Sequence, residues 1–105
     1  MTRQEKLAYM TNKIMEECAE VIKVCSKIQR FGLDSKHPME SETNSENFLQ
    51  EVIDINVAVE MLMKEFNLPL DELESRLSDK YIRARMKYLK YLTEAETKRK
   101  EYEAD

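Results

Sequence analysis

The chain alternates three stretches of helical apolar spacing with polar segments. The first stretch follows a capping box of Thr2 and Glu5, and it predicts a helix from about Arg3 to Arg30. Its apolar stripe consists of Leu7, Ile14, Cys18, Val21, Ile22, Cys25 and Ile28. Gly32, the only glycine, stands where a helix ends in a left-handed residue. The segment LDSKHPMESETN then lacks periodicity and contains Pro38, which predicts a polar loop.

The second stretch predicts a helix that is apolar on nearly every side. A capping box of Thr43 and Glu46 opens it, and its middle reads VIDINVAVEMLM. Leu68 and Pro69 end it. Such a helix needs more than one covering neighbour, so we expect a second copy of the chain to complete the fold.

The third stretch predicts a helix from a cap of Asp71 with Glu74 to about Leu92. Its expected inward stripe consists of Leu73, Leu77, Tyr81, Ala84 and Tyr88. Residues 93–105 are almost all charged, with Tyr102 as their one aromatic residue. They are predicted to form a charged C-terminal tail or a short separate helix.

The composition favours a single all-α domain. With 42% hydrophobic residues, one glycine and two prolines, the 105 residues are too apolar for disorder and too poor in turn residues for an all-β fold. We expect an antiparallel bundle of three main helices over residues 1–92, completed by dimerisation because one small core leaves apolar surface uncovered. No apolar run approaches the ~18 residues of a membrane span, and polar residues follow Met1, so no signal peptide is expected.

The cysteines and the net charge indicate the compartment and narrow the partners. Cys18 and Cys25 are separated by about 10 Å of helical rise, too far for a disulfide, and are expected to be reduced, buried core residues. Without a CxxC spacing they make a poor zinc site, which favours a cytoplasmic protein. A formal charge of -4 argues against general nucleic-acid binding.

Three glutamates lie close together on the first predicted helix. Glu17 projects at the margin of the apolar stripe, Glu20 lies about 60° further round, and Glu16 points further out. Because charge runs usually coat helices, a solvated face is the plain interpretation of this segment alone.

A second acidic pair lies in the most apolar segment of the chain. Glu51 and Asp54 share a face of the second helix, and Asp54 is flanked by Ile53 and Ile55. Aspartate is a poor helix-interior residue and is costly to bury. An ion pair with another helix, or a dimer seam that tolerates a polar residue for register, also explains Asp54.

Taken together, the two pairs point to a metal. Helices 1 and 2 can pack antiparallel across the loop, so that Glu17 and Glu20 face Glu51 and Asp54. Four carboxylates in a partly dry site repel one another, and without a cation they would hold protons at neutral pH. All-oxygen ligands suit Mg²⁺ or Mn²⁺, with positions left for water and substrate phosphates.

The third predicted helix carries the complementary charge. Five basic side chains fall within about 80° of arc beside its apolar stripe, namely Arg76, Lys80, Arg83, Lys87 and Lys90. They form either a solvated face that balances the acidic helices or a phosphate-binding ridge.

These motifs resemble those of a known family. EECAE followed by EVID, as Glu17-x-x-Glu20 and Glu51-x-x-Asp54, resembles the ExxE and ExxD signature of the MazG-like all-α nucleoside triphosphate pyrophosphohydrolases. The text around them is most similar to the small phage and bacterial members, over about Leu7 to Met63. The gap between the motifs is long for the group, and Val52-Ile53 replaces its common Leu-Gly.

The resemblance implies a Mg²⁺-dependent cut between the α and β phosphates of a nucleoside triphosphate, giving monophosphate and pyrophosphate. It makes Glu17, Glu20, Glu51 and Asp54 the metal ligands. Glu16 is a candidate to orient or deprotonate the water, and Glu17 is the second candidate catalytic residue. The candidate phosphate residues are Lys80, Arg83 and Lys87, and the candidate base-pocket residues are Asn12, Phe31 and His37. The last two also have plain interpretations, a cap residue and an exposed loop residue.

The resemblance further implies a homodimer or a dimer of dimers, in a host cytoplasm if the chain is phage-encoded. The alternative is a non-catalytic helical interaction module, in which the charges set dimer register and partner choice. Nucleic-acid binding through the basic ridge is the least favoured interpretation, because the acidic cluster would repel the backbone and no aromatic stacking motif accompanies the ridge.

Overall fold

The computed structural model describes the backbone of residues 1–104 and the side chains of residues 1–69 and 77–104. Within this part the protein consists of helices α1 (Arg3–Phe31), α2 (Asn44–Glu65) and α3 (Leu70–Ala104), so the predicted all-α class is confirmed. The helices fall into two compact units, Met1–Leu68 and Pro69–Asp105. None of the helices in the described part is apolar over a length that would cross a membrane.

Helix α1 has the predicted start and a distinctive end. The Thr2 hydroxyl accepts the backbone N–H of Glu5 at 3.1 Å, which confirms the predicted cap. At the other end the Gly32 N–H donates to the Ile28 carbonyl at 2.8 Å. Gly32 has φ +90° and ψ 169°, so its φ is positive as predicted but its ψ is extended rather than left-handed helical. That backbone region is open to glycine almost alone.

Helix α2 is also capped at both ends. The Thr43 hydroxyl accepts the backbone N–H of Glu46 at 3.3 Å, as the sequence predicts. At its C-terminus Asn67 takes a left-handed φ of +49°, and the Leu68 N–H donates to the Met63 carbonyl at 3.0 Å. This is a Schellman motif, which ends the helix before Pro69 removes a further donor.

Helices α1 and α2 form an antiparallel hairpin that is fixed at its two ends by polar contacts. At one end the Lys6 ammonium lies 2.7 Å from the Glu65 carboxylate, and the Arg3 guanidinium lies 5.0 Å from the centre of the Phe66 ring. At the other end the buried Asn44 side chain donates to the Gly32 carbonyl at 2.9 Å. These contacts set the register of one helix against the other.

The seam between α1 and α2 contains a glutamate on each side. The side chains that α1 turns toward α2 recur at alternating steps of three and four, as Met10, Ile14, Glu17, Val21, Val24 and Ile28. The corresponding row on α2 is Asn44, Phe48, Glu51, Ile55, Ala58 and Leu62. Apart from Asn44 at the start of α2, Glu17 and Glu51 therefore occupy positions that are apolar elsewhere in the same rows.

This seam corrects part of the predicted stripe on α1. Cys18 and Cys25 are free thiols, as expected, but both are exposed rather than buried, and Ile22 is 70% exposed. The predicted residues Ile14, Val21 and Ile28 do lie in the inward row, whereas Glu17 and Val24 hold the inward positions that the prediction assigns to the two cysteines. One residue turns a helix by about 100°, which is enough to move a side chain from the core to solvent.

Helix α2 keeps a second apolar face that α1 does not cover. Its large side chains are between 52% and 61% exposed in the chain, namely Leu49, Ile53, Val57 and Met61. The prediction that α2 needs more than one covering neighbour is thus supported by its exposure, while the neighbour itself stays a prediction.

Helix α3 forms the second unit and is longer than predicted. Its backbone runs without a break through the expected end near Leu92 to Ala104, so the charged segment continues the same helix. The predicted inward residues Leu77, Tyr81, Ala84 and Tyr88 are exposed on this helix, and their packing against another helix stays a prediction. The predicted cap of Asp71 with Glu74, and the side chains of Leu73 and Arg76, lie outside the described residues.

Gly32 gives a test of how α1 ends. No atom lies within 4 Å of a Cβ built on Gly32, so Gly32→Ala meets no steric obstacle and its cost is conformational. We expect it to lower the free energy of unfolding by about 1–3 kcal/mol, measured by urea denaturation. Asn67→Gly is the control at the other positive φ and is expected to be neutral or slightly stabilising. Equal stability of Gly32→Ala and the unsubstituted chain would contradict this account of the cap.

Candidate functional site

Three of the four predicted metal ligands meet between α1 and α2. One carboxylate oxygen each from Glu17, Glu51 and Asp54 lies within 4.8 Å of the other two. We call these three residues the carboxylate cluster. The antiparallel hairpin brings them together, because its register sets the middle of α1 against the middle of α2.

Burial within the carboxylate cluster is uneven. Glu17 and Glu51 are half-buried in the seam, whereas Asp54 is exposed at its edge. Asp54 had been singled out as the buried acid of the site, and the structure corrects this: Glu51 takes that place. The Oε2 atom of Glu51 is buried and has no hydrogen-bond partner in the described part of the chain. A buried acceptor without a partner is unusual and calls for a proton, a water or a cation.

The surroundings of Glu51 favour its neutral form. Desolvation by burial raises the pKa of the Glu51 carboxyl, and a side-chain hydrogen bond with Glu17 and the negative charge of Glu17 raise it further. Asp54 and Glu20 add smaller contributions of the same sign. Both effects disfavour a second negative charge in the seam. The cluster is therefore destabilising when fully ionised, and a bound cation would relieve it.

Glu20, the fourth predicted ligand, lies beside the cluster on an exposed part of α1. It lines an open cavity of about 410 Å³ together with Glu51. Two basic residues of α1, Lys23 and Lys27, line the same cavity, and we call it the lysine cavity. The Lys27 ammonium lies 3.7 Å from the Glu40 carboxylate, while Lys23 forms no ion pair with any described side chain.

A second cavity lies on the other side of the cluster. It measures about 430 Å³, and Glu17 and Asp54 line it. Its remaining walls are mostly apolar, and they consist of Tyr9, Met10, Lys13, Val57, Ala58 and Met61. We call it the tyrosine cavity, after the only aromatic residue in its lining.

The predicted catalytic residue Glu16 lies apart from the cluster. Its carboxylate is 3.2 Å from the Lys13 ammonium, and this hydrogen bond raises the pKa of Lys13. The Glu16 side chain is 63% exposed. The structure therefore shows Glu16 in a surface ion pair, and its catalytic role stays a prediction.

Two of the three predicted base-pocket residues come together. Phe31 and His37 line a cavity of about 190 Å³ at the end of α1, which we call the histidine cavity. The His37 Nδ1 accepts the backbone N–H of Met39 at 3.1 Å, which orients the ring. Asn12 is exposed nineteen residues earlier on α1, so about 28 Å of helical rise separates it from Phe31.

The predicted phosphate residues belong to the second unit. Lys80, Arg83 and Lys87 are exposed on α3, and their spacing of three and four places them on one face of this continuous helix. The Lys87 ammonium lies 5.7 Å from the centre of the Tyr91 ring. Their role in binding phosphate stays a prediction.

Several residues that line the cavities beside the cluster are not among the predicted site residues. Lys23 and Lys27 follow Glu20 at three and seven residues, so the same helical spacing that grouped the acids could have grouped these lysines with them. Tyr9 precedes Glu17 by eight residues and was absent from the predicted apolar stripe. All three lie in the first unit, on the same helix as Glu17.

The cluster has the donor set of a hard-cation site. Its ligand atoms are carboxylate oxygens, which suit Mg²⁺ and Mn²⁺ better than softer metals. The unpartnered Glu51 Oε2 supplies an oxygen that no described group satisfies. Glu17, Glu51 and Asp54 can thus hold such an ion, with Glu20 next to them.

The raised pKa of Glu51 predicts a pH dependence of the metal-free protein. The folded chain binds more protons than the unfolded chain when the pH lies between the ordinary glutamate pKa, about 4.3, and the raised folded value. The Glu51 contribution to stability is therefore gained as the pH falls through that window and lost as the pH rises through it. We expect thermal unfolding in EDTA to show this slope, and Glu51→Gln to flatten it and raise the melting temperature at pH 7. A lower melting temperature for Glu51→Gln would contradict it.

Divalent cations should stabilise the chain through the same carboxylates. We expect added Mg²⁺ or Mn²⁺ to raise the melting temperature with increasing concentration, by mass action on the folded state. Asp54→Asn and Glu51→Gln should abolish this shift. Glu60→Gln is a matched control on α2, because Glu60 pairs with Lys64 on the surface at 2.9 Å. An equal Mg²⁺ shift in all three variants would exclude the cluster as the binding site.

Comparisons with known proteins identify no relative of this chain. The chain matches no protein-family model, no curated protein and no solved structure.

Proposed function

We propose that the chain is a Mg²⁺-dependent nucleoside triphosphate pyrophosphohydrolase, which cleaves the bond between the α and β phosphates. The observation that carries the proposal is the carboxylate cluster, in which one oxygen from each of three acids lies within 4.8 Å of the other two. The Oε2 atom of Glu51, a member of the cluster, is buried without a hydrogen-bond partner in the described part of the chain. Such a group is costly for a small domain when it is fully ionised, and a bound cation would offset that cost. The resemblance of EECAE and EVID to the MazG-like signature supports the same function.

The reaction needs little from the protein beyond charge control and positioning. A water oxygen bonds to the α phosphorus, the bond from that phosphorus to the bridging oxygen breaks, and the bridging oxygen leaves with pyrophosphate. When bound, Mg²⁺ supplies neutralisation of phosphate charge, orientation of the water and stabilisation of the leaving pyrophosphate. Glu17, Glu51 and Asp54, with Glu20 beside them, would hold this ion.

The chain's own residues provide the rest of the proposed site. The seam positions of Glu17 and Glu51 fix their carboxylates on two packed helices, so little reorganisation is needed when the substrate binds. Glu16 is the candidate to take a proton from the water, provided that its ion pair with Lys13 opens. Lys80, Arg83 and Lys87 remain candidates for the phosphate tail.

We also propose that the working form is a homodimer or a dimer of dimers. Leu49 and Ile53 are 61% and 60% exposed on the face of α2 that α1 leaves open. In the described side chains the only buried residues are Val24 and Asn44, so the first unit has a small core of its own. A second copy covering α2 would enlarge that core.

A second candidate function is a helical interaction module without catalysis. The exposed apolar face of α2 favours it, because large apolar patches mark surfaces that bind other chains. In this case the acids would set register or partner choice, and the chain would be indifferent to Mg²⁺.

Product analysis tests the proposed function directly. We expect the protein, with Mg²⁺ and a panel of NTPs and dNTPs, to release monophosphate and pyrophosphate, identified by ³¹P NMR. In H₂¹⁸O the label should enter the monophosphate, because water attacks the α phosphorus. Release of orthophosphate alone, label in pyrophosphate, or no turnover of any nucleotide would overturn the proposal.

Variants of the cluster separate catalysis from structure. We expect Asp54→Ala to abolish turnover while the chain stays folded, because the substitution removes a ligand and also relieves carboxylate repulsion. Glu60→Gln should retain full turnover, and Glu16→Gln reports on the candidate proton acceptor. A clear loss of thermal stability in metal-free Asp54→Ala would instead indicate a structural ion pair.

A further inference from the structure

We infer that a nucleoside triphosphate lies across the carboxylate cluster in one direction, with its nucleoside in the tyrosine cavity and its β and γ phosphates in the lysine cavity. This inference rests on the proposed function and deepens it, because it assigns the two ends of the substrate. It also makes Tyr9 and Lys23 substrate-binding residues.

The tyrosine cavity has the chemistry of a nucleoside site. Its volume of about 430 Å³ lies within the roughly 300–1,000 Å³ of small-molecule pockets. The side chains of Met10, Val57 and Met61 make its walls apolar, and the Tyr9 ring offers a face on which a base can stack. Its one cation, Lys13, is already paired with Glu16 and lies 5.7 Å from the centre of the Tyr9 ring.

The lysine cavity has the chemistry of a polyphosphate site. Lys23 lines it and forms no ion pair with a described side chain, so its ammonium is open to an anion. Lys27 lies further along the same wall. Four glutamates also line this cavity; of these, Glu40 pairs with Lys27 at 3.7 Å and Glu42 accepts the Gln50 amide at 2.8 Å. Lysine ammonium groups bind phosphate as point charges.

The order of the two cavities along α1 matches the order of groups in the substrate. Tyr9, Met10 and Lys13 precede Glu17, whereas Lys23 and Lys27 follow Glu20. Glu17 and Asp54 line the tyrosine cavity, and Glu20 and Glu51 line the lysine cavity. The cluster therefore stands between a largely apolar cavity and a cavity that contains two lysines, where the bond between the α and β phosphates has to lie.

The histidine cavity fits this direction less well as a base site. It shares Lys27 and Glu40 with the lysine cavity, and none of the three cluster carboxylates lines it. Its volume of about 190 Å³ is also less than half that of the tyrosine cavity. The inference thus moves the base from the predicted Phe31 and His37 to Tyr9.

Methionine methyl groups report on the two ends separately. Met10 and Met61 line the tyrosine cavity, and Met39 lines the lysine cavity. In protein labelled with ¹³C at its methionine methyls, with Mg²⁺ present, we expect a nucleoside monophosphate to shift the Met10 and Met61 signals and leave Met39 in place. Inorganic pyrophosphate should shift Met39 and leave the other two. Met86 on α3 and Met15, which lines neither cavity, are internal references.

Variants of Tyr9 give a second measurement. We expect Tyr9→Ala to weaken monophosphate binding about tenfold, as loss of base stacking predicts, while Tyr9→Phe retains the affinity. Phe31→Ala tests the competing base site in the histidine cavity and, if the base lies on Tyr9, should bind the monophosphate with unchanged affinity. Circular dichroism of each variant checks that it folds.

The reverse methyl pattern, monophosphate shifts at Met39, or no shift of Met10 and Met61 would overturn the inference. So would a larger loss of affinity in Phe31→Ala than in Tyr9→Ala. These binding results are distinct from failure of the proposed function, which appears as absent turnover in the product assay. Turnover with the wrong methyl pattern would reject only the proposed orientation of the nucleotide. The expected methyl pattern without turnover would support that orientation for binding and reject the proposed catalysis.

Discussion

Repulsion between two glutamates in a helical seam is the constraint around which the first unit is organised. Glu17 and Glu51 occupy inward positions in rows that are otherwise largely apolar, and the structure holds them together with one oxygen left unpartnered. Replacing both by apolar residues of similar size would remove the repulsion and improve the packing of the hairpin. The two acids are therefore best explained as part of a site that a bound positive charge stabilises. The two flanking cavities are of interest because they lie beside these acids.

Local signals in the sequence were enough for the helices and for the identity of the acids. Thr2, Thr43 and Gly32 mark three helix boundaries because capping is decided within a few residues. The motif spacing also brought Glu17 together with Glu51 and Asp54, as the structure shows. The sequence pattern did not determine how α1 is rotated about its own axis. Cys18 and Glu17 are both compatible with a helical stripe, and only packing against α2 decides which of them faces inward.

The rest of the site depends on how close different helices and loops come to one another, and residue spacing along a single helix does not contain that information. That Glu51 rather than Asp54 is half-buried depends on how α1 packs against α2, which is a property of the pair of helices. Likewise, Phe31 and His37 share a cavity because the loop folds back over the end of α1. For α3, the continuous helix through Leu92 shows that a highly charged segment can extend a helix that its composition alone left undecided.

The contacts at the start of α2 have a consequence for how much the loop can change. The Asn44 side chain and backbone bind the Gly32 and Ser35 carbonyls, and the Ser45 N–H donates to the Leu33 carbonyl. The two helices are thus joined at their near ends by direct hydrogen bonds, independently of the residues between Ser35 and Thr43. Insertions or deletions there would alter the loop without sliding Glu17 past Glu51. The alignment of Glu17 with Glu51 therefore does not depend on the length of the loop. Chains with very different gaps between the two acidic motifs can form the same cluster.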